Sequence, residues 1–193
     1  PRSTLERSSA ASDVYKRQGS DHVREKDGLW AVLLWLNILA VRGISVDDLA
    51  KSHWARFGRN YYARHDYEGV DKADADALMA ELLAALPSLP GTVFGPLVVA
   101  HADSFAYTDP VDHSVSANQG VRVLFEDGSR VVFRLSGTGT QGATLRVYLE
   151  RYEAPSGHLD ADTGVMLEAQ VAAAEAAAGI VRHTGRIAPD VVT

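Results

Sequence analysis

Arg134 and Arg146 flank a run of glycines and hydroxyls, Ser136-Gly137-Thr138-Gly139-Thr140-Gln141-Gly142. The glycines let backbone N–H groups turn toward one point, where Ser136, Thr138 and Thr140 add hydroxyl donors. Backbone concavities of this kind bind anions. On the first arm, strand alternation sets Val131, Phe133 and Leu135 on one face and Val132, Arg134 and Ser136 on the other. On the second arm, Leu145, Val147 and Leu149 oppose Thr144, Arg146 and Tyr148. A simple antiparallel register around the loop sets Arg134 nearly opposite Arg146. Like charges facing each other destabilise a strand pair. The pair makes chemical sense with a dianion between the arginines, since phosphate accepts forked guanidinium contacts well.

Pattern alone leaves a second reading open, a flexible hairpin loop with two solvated arginines. Two other phosphate motifs are excluded. No Gly-Lys-Ser/Thr follows the glycines, so this is not a P-loop, and a strand rather than a helix follows, so it is not a dinucleotide fingerprint. Lys26, in Arg24-Glu25-Lys26-Asp27, precedes an apolar helix. A cation is mildly unfavourable at a helix start, where the partial charge is positive, and that misfit hints at a use. The histidines show no defensible metal spacing. Asp109, Asp112 and Asp127 are explained by turn chemistry. With no cysteine there is no disulfide or thiolate chemistry, and the expected metal set is none. The net charge of −6 argues against a general nucleic-acid or anionic-membrane surface.

These residues need elements to hold them. Residues 26–41 read as a helix apolar on nearly every side, with Leu29, Trp30, Leu33, Leu34, Trp35, Leu36, Ile38 and Leu39. Such a helix is a buried one, and in an isolated fragment it loses most of its cover. It is shorter than a membrane span, and Asn37 interrupts it. Gly43 is a stop, and Ser45 caps a helix reaching about Phe57. Residues 61–67 form a short strand, and residues 71–86 a helix ended by Pro87 and Pro90. Residues 97–106, 121–126, 129–136 and 143–152 read as strands, with a strong hairpin signal at Glu126-Asp127-Gly128-Ser129. Residues 163–182 read as a final helix. The expected fold is α+β, a four-stranded antiparallel sheet with helices on one side.

Residues 134–148 resemble the phosphate-binding loop of the C-terminal domain of the phosphoglucomutases, in the α-D-phosphohexomutase superfamily, with Thr140 where a second serine is usual. The similarity runs on through the chain. Gly19-Ser20-Asp21-His22-Val23-Arg24-Glu25-Lys26-Asp27-Gly28 resembles the end of the family's third domain. Phe57-Gly58-Arg59-Asn60-Tyr61 and Asp66-Tyr67-Glu68 match the following linker region. Tyr107-Thr108-Asp109-Pro110-Val111-Asp112 and Asn118-Gln119-Gly120 match next, with His113 where the family usually has glycine. Thr184-Gly185-Arg186-Ile187-Ala188-Pro189 fits the terminus.

The resemblance implies a TATA-binding-protein-like C-terminal domain over 58–193, preceded by the helical tail of an α/β domain over 19–57. It implies that Arg134, Ser136, Gly137, Thr138, Gly139, Thr140 and Arg146 bind the substrate phosphate. It aligns Lys26 with an active-site lysine that contacts the phosphosugar and takes part in proton movement, with His22 and Arg24 as neighbours. The implied reaction interconverts glucose 1-phosphate and glucose 6-phosphate in the cytoplasm, through a phosphoserine and glucose 1,6-bisphosphate, with Mg²⁺. The implied partners are the phosphosugar and the missing N-terminal domains, with no nucleic acid and no membrane. No Asp-Gly-Asp-x-Asp-Arg run occurs, so the chain alone is expected to be an inactive fragment. Residues 1–18 resemble a translated sequencing-adaptor read and are expected to be non-native. The alternative is a free-standing phosphate-binding or interaction module without chemistry.

Overall fold

The computed structural model describes residues 28–110, 112–136 and 142–193. The segment 1–18 lies outside them. The chain divides into two compact units, residues 1–54 and 55–193.

In the first unit, α1 spans Gly28–Arg42. None of its residues is buried, and Leu29, Leu33 and Val41 are among its exposed side chains. A helix apolar on all sides needs cover from several sides at once, and the expected loss of that cover in a fragment is what these exposures show. No single helix among the described residues is long and apolar enough to cross a membrane. The next helix, α2 (Val46–Phe57), begins as expected at Ser45, whose Oγ accepts the Asp48 backbone N–H at 3.1 Å.

The second unit is an antiparallel sheet with helices packed on one face. Its elements run β1 (Arg59–Val70), α3 (Lys72–Ala85), β2 (Val93–Phe94), β3 (Leu97–Thr108), β4 (Val115–Phe125), β5 (Arg130–Ser136), β6 (Ala143–Glu153), α4 (Thr163–Ala178), α5 (Ile180–Thr184) and β7 (Val191–Val192). The strand order is β2-β3-β4-β5-β6-β1-β7. The sheet therefore has seven strands where the sequence suggests four. Strands β2 and β7 are two-residue edge strands. Strand β1 is twelve residues long, far beyond the expected short segment 61–67, and joins β6 to β7.

One face of the sheet carries Tyr61, Tyr67, Val121, Val123, Val131, Phe133, Leu145, Val147 and Leu149, all buried. Leu78 and Leu82 from α3 and Leu167, Ala173 and Ala174 from α4 pack with them in one core. Each large side chain so buried contributes roughly 1.5–3 kcal/mol relative to exposure. Asp71 caps α3 by accepting the Ala73 N–H at 2.8 Å, and Asp162 caps α4 at the Val165 N–H. The single helix expected over 163–182 is broken at Gly179, whose left-handed backbone (φ 59°) ends α4. The opposite, outer face carries the arginines.

Candidate anion site on the outer face

The hairpin arms set the two arginines. Arg134 on β5 is the direct cross-strand partner of Arg146 on β6, with Leu135 opposite Leu145 and Ser136 opposite Thr144. Their neighbours Phe133, Leu145 and Val147 are turned into the core, so both guanidinium side chains project from the outer face. Of the other residues expected to bind phosphate, Ser136 closes the described part of β5. Gly137, Thr138, Gly139 and Thr140 lie outside the described residues, as do Lys26, His22 and Arg24.

Elsewhere on this face, arginines are tied to carboxylates. Arg122 holds Asp103 in a two-point fork, Nε to Oδ1 at 2.9 Å and Nη2 to Oδ2 at 2.6 Å. That fork keeps the Asp103 carboxyl below the usual carboxylate range, and partial burial opposes it. Arg130 pairs with Glu150 on β6. Arg134 differs: its Nη2 donates to the Gln119 amide oxygen at 3.4 Å. Arg146 differs as well. Its Nε stands 3.7 Å from Asp66 Oδ2, beyond hydrogen-bond range, and is buried with no hydrogen-bond partner among the described residues.

Three residues that sequence reasoning leaves without a role frame the pair. Asp66 is the cross-strand partner of Arg146 on the side away from Arg134, and it is only 3 % exposed. Its Oδ1 accepts Arg64 Nε at 2.8 Å. The adjacent His65 points to the core side, where burial lowers its pKa and the Asp66 charge partly restores it. Gly120 lies under Arg134: a Cβ there would meet the Phe133 carbonyl oxygen at 2.5 Å and Arg134 Cγ at 2.8 Å. Gln119 is the amide that meets Arg134. The alternation Arg64/Asp66 against Ala63, His65 and Tyr67 was the available signal for a charged outer stripe on β1.

The arrangement sets two cations at directly opposed strand positions, with the Ser136 hydroxyl, the Asp66 carboxylate and the Gln119 amide around them. That is chemistry for holding an oxyanion. No three acidic, cysteine or histidine side chains converge among the described residues. Asp127 and Asp112 instead close turns onto the Ser129 and Ser114 N–H groups at 2.9 Å and 2.8 Å.

Comparison with known proteins gives the chain's relatives. Residues 59–190 match the family model "Phosphoglucomutase-1, C-terminal domain". Residues 18–57 match "Phosphoglucomutase/phosphomannomutase, alpha/beta/alpha domain III". The chain is 58 % identical over 175 residues to a phosphoglucomutase of Rhizobium radiobacter, covering 91 % of this chain and 32 % of that protein. It is 49 % identical over 181 residues to phosphoglucomutase-1 of Oryctolagus cuniculus, again over 91 % and 32 % of the two chains. It is 47 % identical over 190 residues to the cytoplasmic phosphoglucomutase of Pisum sativum, covering 91 % of this chain and 33 % of that one. The crystal structure of the exocytosis-sensitive phosphoprotein pp63/parafusin, a phosphoglucomutase from Paramecium in its open form, superposes with a TM-score of 0.79 at 43 % identity. That match covers 91 % of this chain and 31 % of the Paramecium chain. The chain spans about a third of the length of the relatives it matches.

Proposed function

We propose that this chain, which belongs to the phosphoglucomutase family, holds the substrate phosphate in an enzyme that interconverts glucose 1-phosphate and glucose 6-phosphate. The observation that carries the reading is the direct pairing of Arg134 with Arg146 across β5 and β6. Two guanidinium groups on opposed strand positions repel each other when nothing lies between them. A phosphate dianion turns that repulsion into two charge-assisted contacts. Ser136 stands at the end of the same arm and adds a hydroxyl donor.

In this reading residues 19–57 are the tail of the third domain, and residues 58–193 form the C-terminal domain that carries the clamp. Arg134 and Arg146 grip the phosphate that is not being transferred. That grip fixes the far end of the sugar and so orients the reacting hydroxyl, where positioning supplies much of a phosphoryl-transfer rate. The bisphosphate intermediate must present either end in turn. A clamp that reads phosphate and not sugar accepts both. Lys26 contacts the phosphosugar in the same scheme, and the enzyme works in the cytoplasm, as the name of the Pisum sativum relative states for that protein. The phosphoserine and the sugar-reading groups belong to the rest of a full-length enzyme. The Mg²⁺ that the family implies has no fitting ligand set among the described residues, and no step here runs through it.

Titration of the ¹⁵N-labelled chain with inorganic phosphate, glucose 1-phosphate and glucose tests the reading. Phosphate and glucose 1-phosphate should shift the same Arg134 and Arg146 side-chain signals, and glucose should shift neither. No response of either arginine to phosphate up to tens of millimolar, a range in which non-covalent contacts of only ~3 kcal/mol still register, would contradict it.

A further inference from the structure

We propose that Asp66 is a positioning residue of the anion site: its buried carboxylate orients the Arg146 guanidinium without capturing it. The inference rests on the phosphate-clamp reading.

The placement is direct. Asp66 on β1 and Arg134 on β5 are the two cross-strand partners of Arg146 on β6, one on each side. An arginine between them is pulled by the carboxylate and pushed by the second arginine. Both forces align it along one row across the sheet.

The burial points the same way. Asp66 is the one charged side chain in the buried set of the described residues. A buried carboxylate is costly unless it is paired, and an apolar residue would usually serve stability as well. Arg64 satisfies Oδ1, through its Nε at 2.8 Å. The other oxygen, Oδ2, faces Arg146 Nε at 3.7 Å. That Nε is itself buried without a hydrogen-bond partner among the described residues, although the side chain as a whole is 40 % exposed. The orphaned atom is the base of the guanidinium, nearest the carboxylate, and the outer part of the group is what solvent reaches.

The contrast with Arg122 decides what this distance means. There the carboxylate of Asp103 occupies the fork at 2.9 Å and 2.6 Å, which uses up the edge an oxyanion would need. At Arg146 the carboxylate stands off by about one further ångström, enough to orient a cation and too far to occupy its donors. The charges also balance. Arg64, Arg134 and Arg146 against Asp66 leave two positive charges, the complement of a phosphate dianion.

The test uses the full 193-residue chain, with inorganic phosphate as the probe and the arginine Nε–Hε signals as the readout. In the phosphate-free wild type, the Arg146 Nε–Hε signal should stand apart from those of exposed arginines and exchange slowly. D66N should move it to the exposed-arginine position and weaken phosphate about tenfold, the size of a lost charge-assisted contact. Adding D66N to Arg146→Ala should change affinity by less than about twofold, because the carboxylate acts through that arginine. A D66N protein that melts earlier but keeps the Arg146 signal and the phosphate affinity overturns the proposal and makes Asp66 merely structural. If D66N does not fold, the wild-type signal decides: an Arg146 Nε–Hε averaged with exposed arginines overturns the proposal as well. Failure of the clamp itself looks different. Arg146→Ala would then leave phosphate affinity unchanged, and the role given to Asp66 falls with it.

Discussion

Arg134 and Arg146 face each other across the hairpin, a pairing that is poor for folding and that the proposed clamp turns to binding. Elsewhere on the two strands, Arg130 of β5 is matched by its cross-strand partner of opposite charge, Glu150 of β6. Only at this pair does like meet like across the hairpin among the described residues. Two other residues make predictions at this scale. His113 stands where the resemblance expects glycine, and its backbone is left-handed, with φ at 59°. A side chain there costs about 1–2 kcal/mol, and the added freedom of glycine in the unfolded chain returns part of that. His113→Gly should therefore stabilise the chain by about 0.5–1 kcal/mol in chemical denaturation, and a loss of stability would show that the imidazole makes contacts worth more than its strain. Asp103 gives a pH dependence. Arg122 holds its folded pKa below the unfolded one, so its stabilisation is complete above the ordinary carboxylate range and is lost as pH falls through the lowered value. Asp103→Asn should lower the thermal midpoint at pH 7, and the gap to wild type should narrow as the pH falls below the ordinary carboxylate range. A gap that widened on acidification would reverse the assigned sign.

Among the elements, β4 and β5 show that the proposed clamp rests on backbone as well as side chains. Gly120 has φ 152° and no room for a Cβ against the Phe133 carbonyl and Arg134 Cγ. Gly120→Ala should cost about 2 kcal/mol or more and should also weaken phosphate binding, because the clash pushes on the arginine directly. Normal phosphate affinity in a destabilised Gly120→Ala protein would show that Arg134 is set from elsewhere. The hairpin around the glycine run, the core alternation on β5 and β6, and the capped start of α2 were legible in the sequence, because each rests on contacts between near neighbours. Much of the rest was not. The beginning of β4, Val115-Ser116-Ala117-Asn118-Gln119-Gly120, has the composition of a loop and becomes strand only by pairing with β3. Strand β1 is polar at every second position, and Asp66 reads as a solvated carboxylate until β7 is laid beside it through Val191. The break at Gly179 was hidden by the alanines before it, which favour helix, and by the further helical turn that follows it.

For the molecule as a whole, the two family matches meet near residue 58, and together they amount to about a third of the relatives' length. In the proposed reading these residues position a phosphate, and positioning alone does not transfer phosphoryl. The 193-residue chain with glucose 1-phosphate, Mg²⁺ and glucose 1,6-bisphosphate should give no glucose 6-phosphate above a blank. Turnover would place the reacting groups within these residues and contradict the division of labour proposed here. The central claim remains that two opposed arginines are held for a phosphate. Its most direct test is an inorganic phosphate titration of the wild-type chain against Arg134→Ala, with thermal melts of both proteins in phosphate-free buffer. The substitution should cost about 1.5–3 kcal/mol of phosphate binding, the range for hydrogen bonds to charged groups. The phosphate-free melting temperature should hold or rise as the repulsion with Arg146 is removed. Equal phosphate responses in the two proteins would contradict it and leave the glycine-rich hairpin as a loop between two solvated arginines.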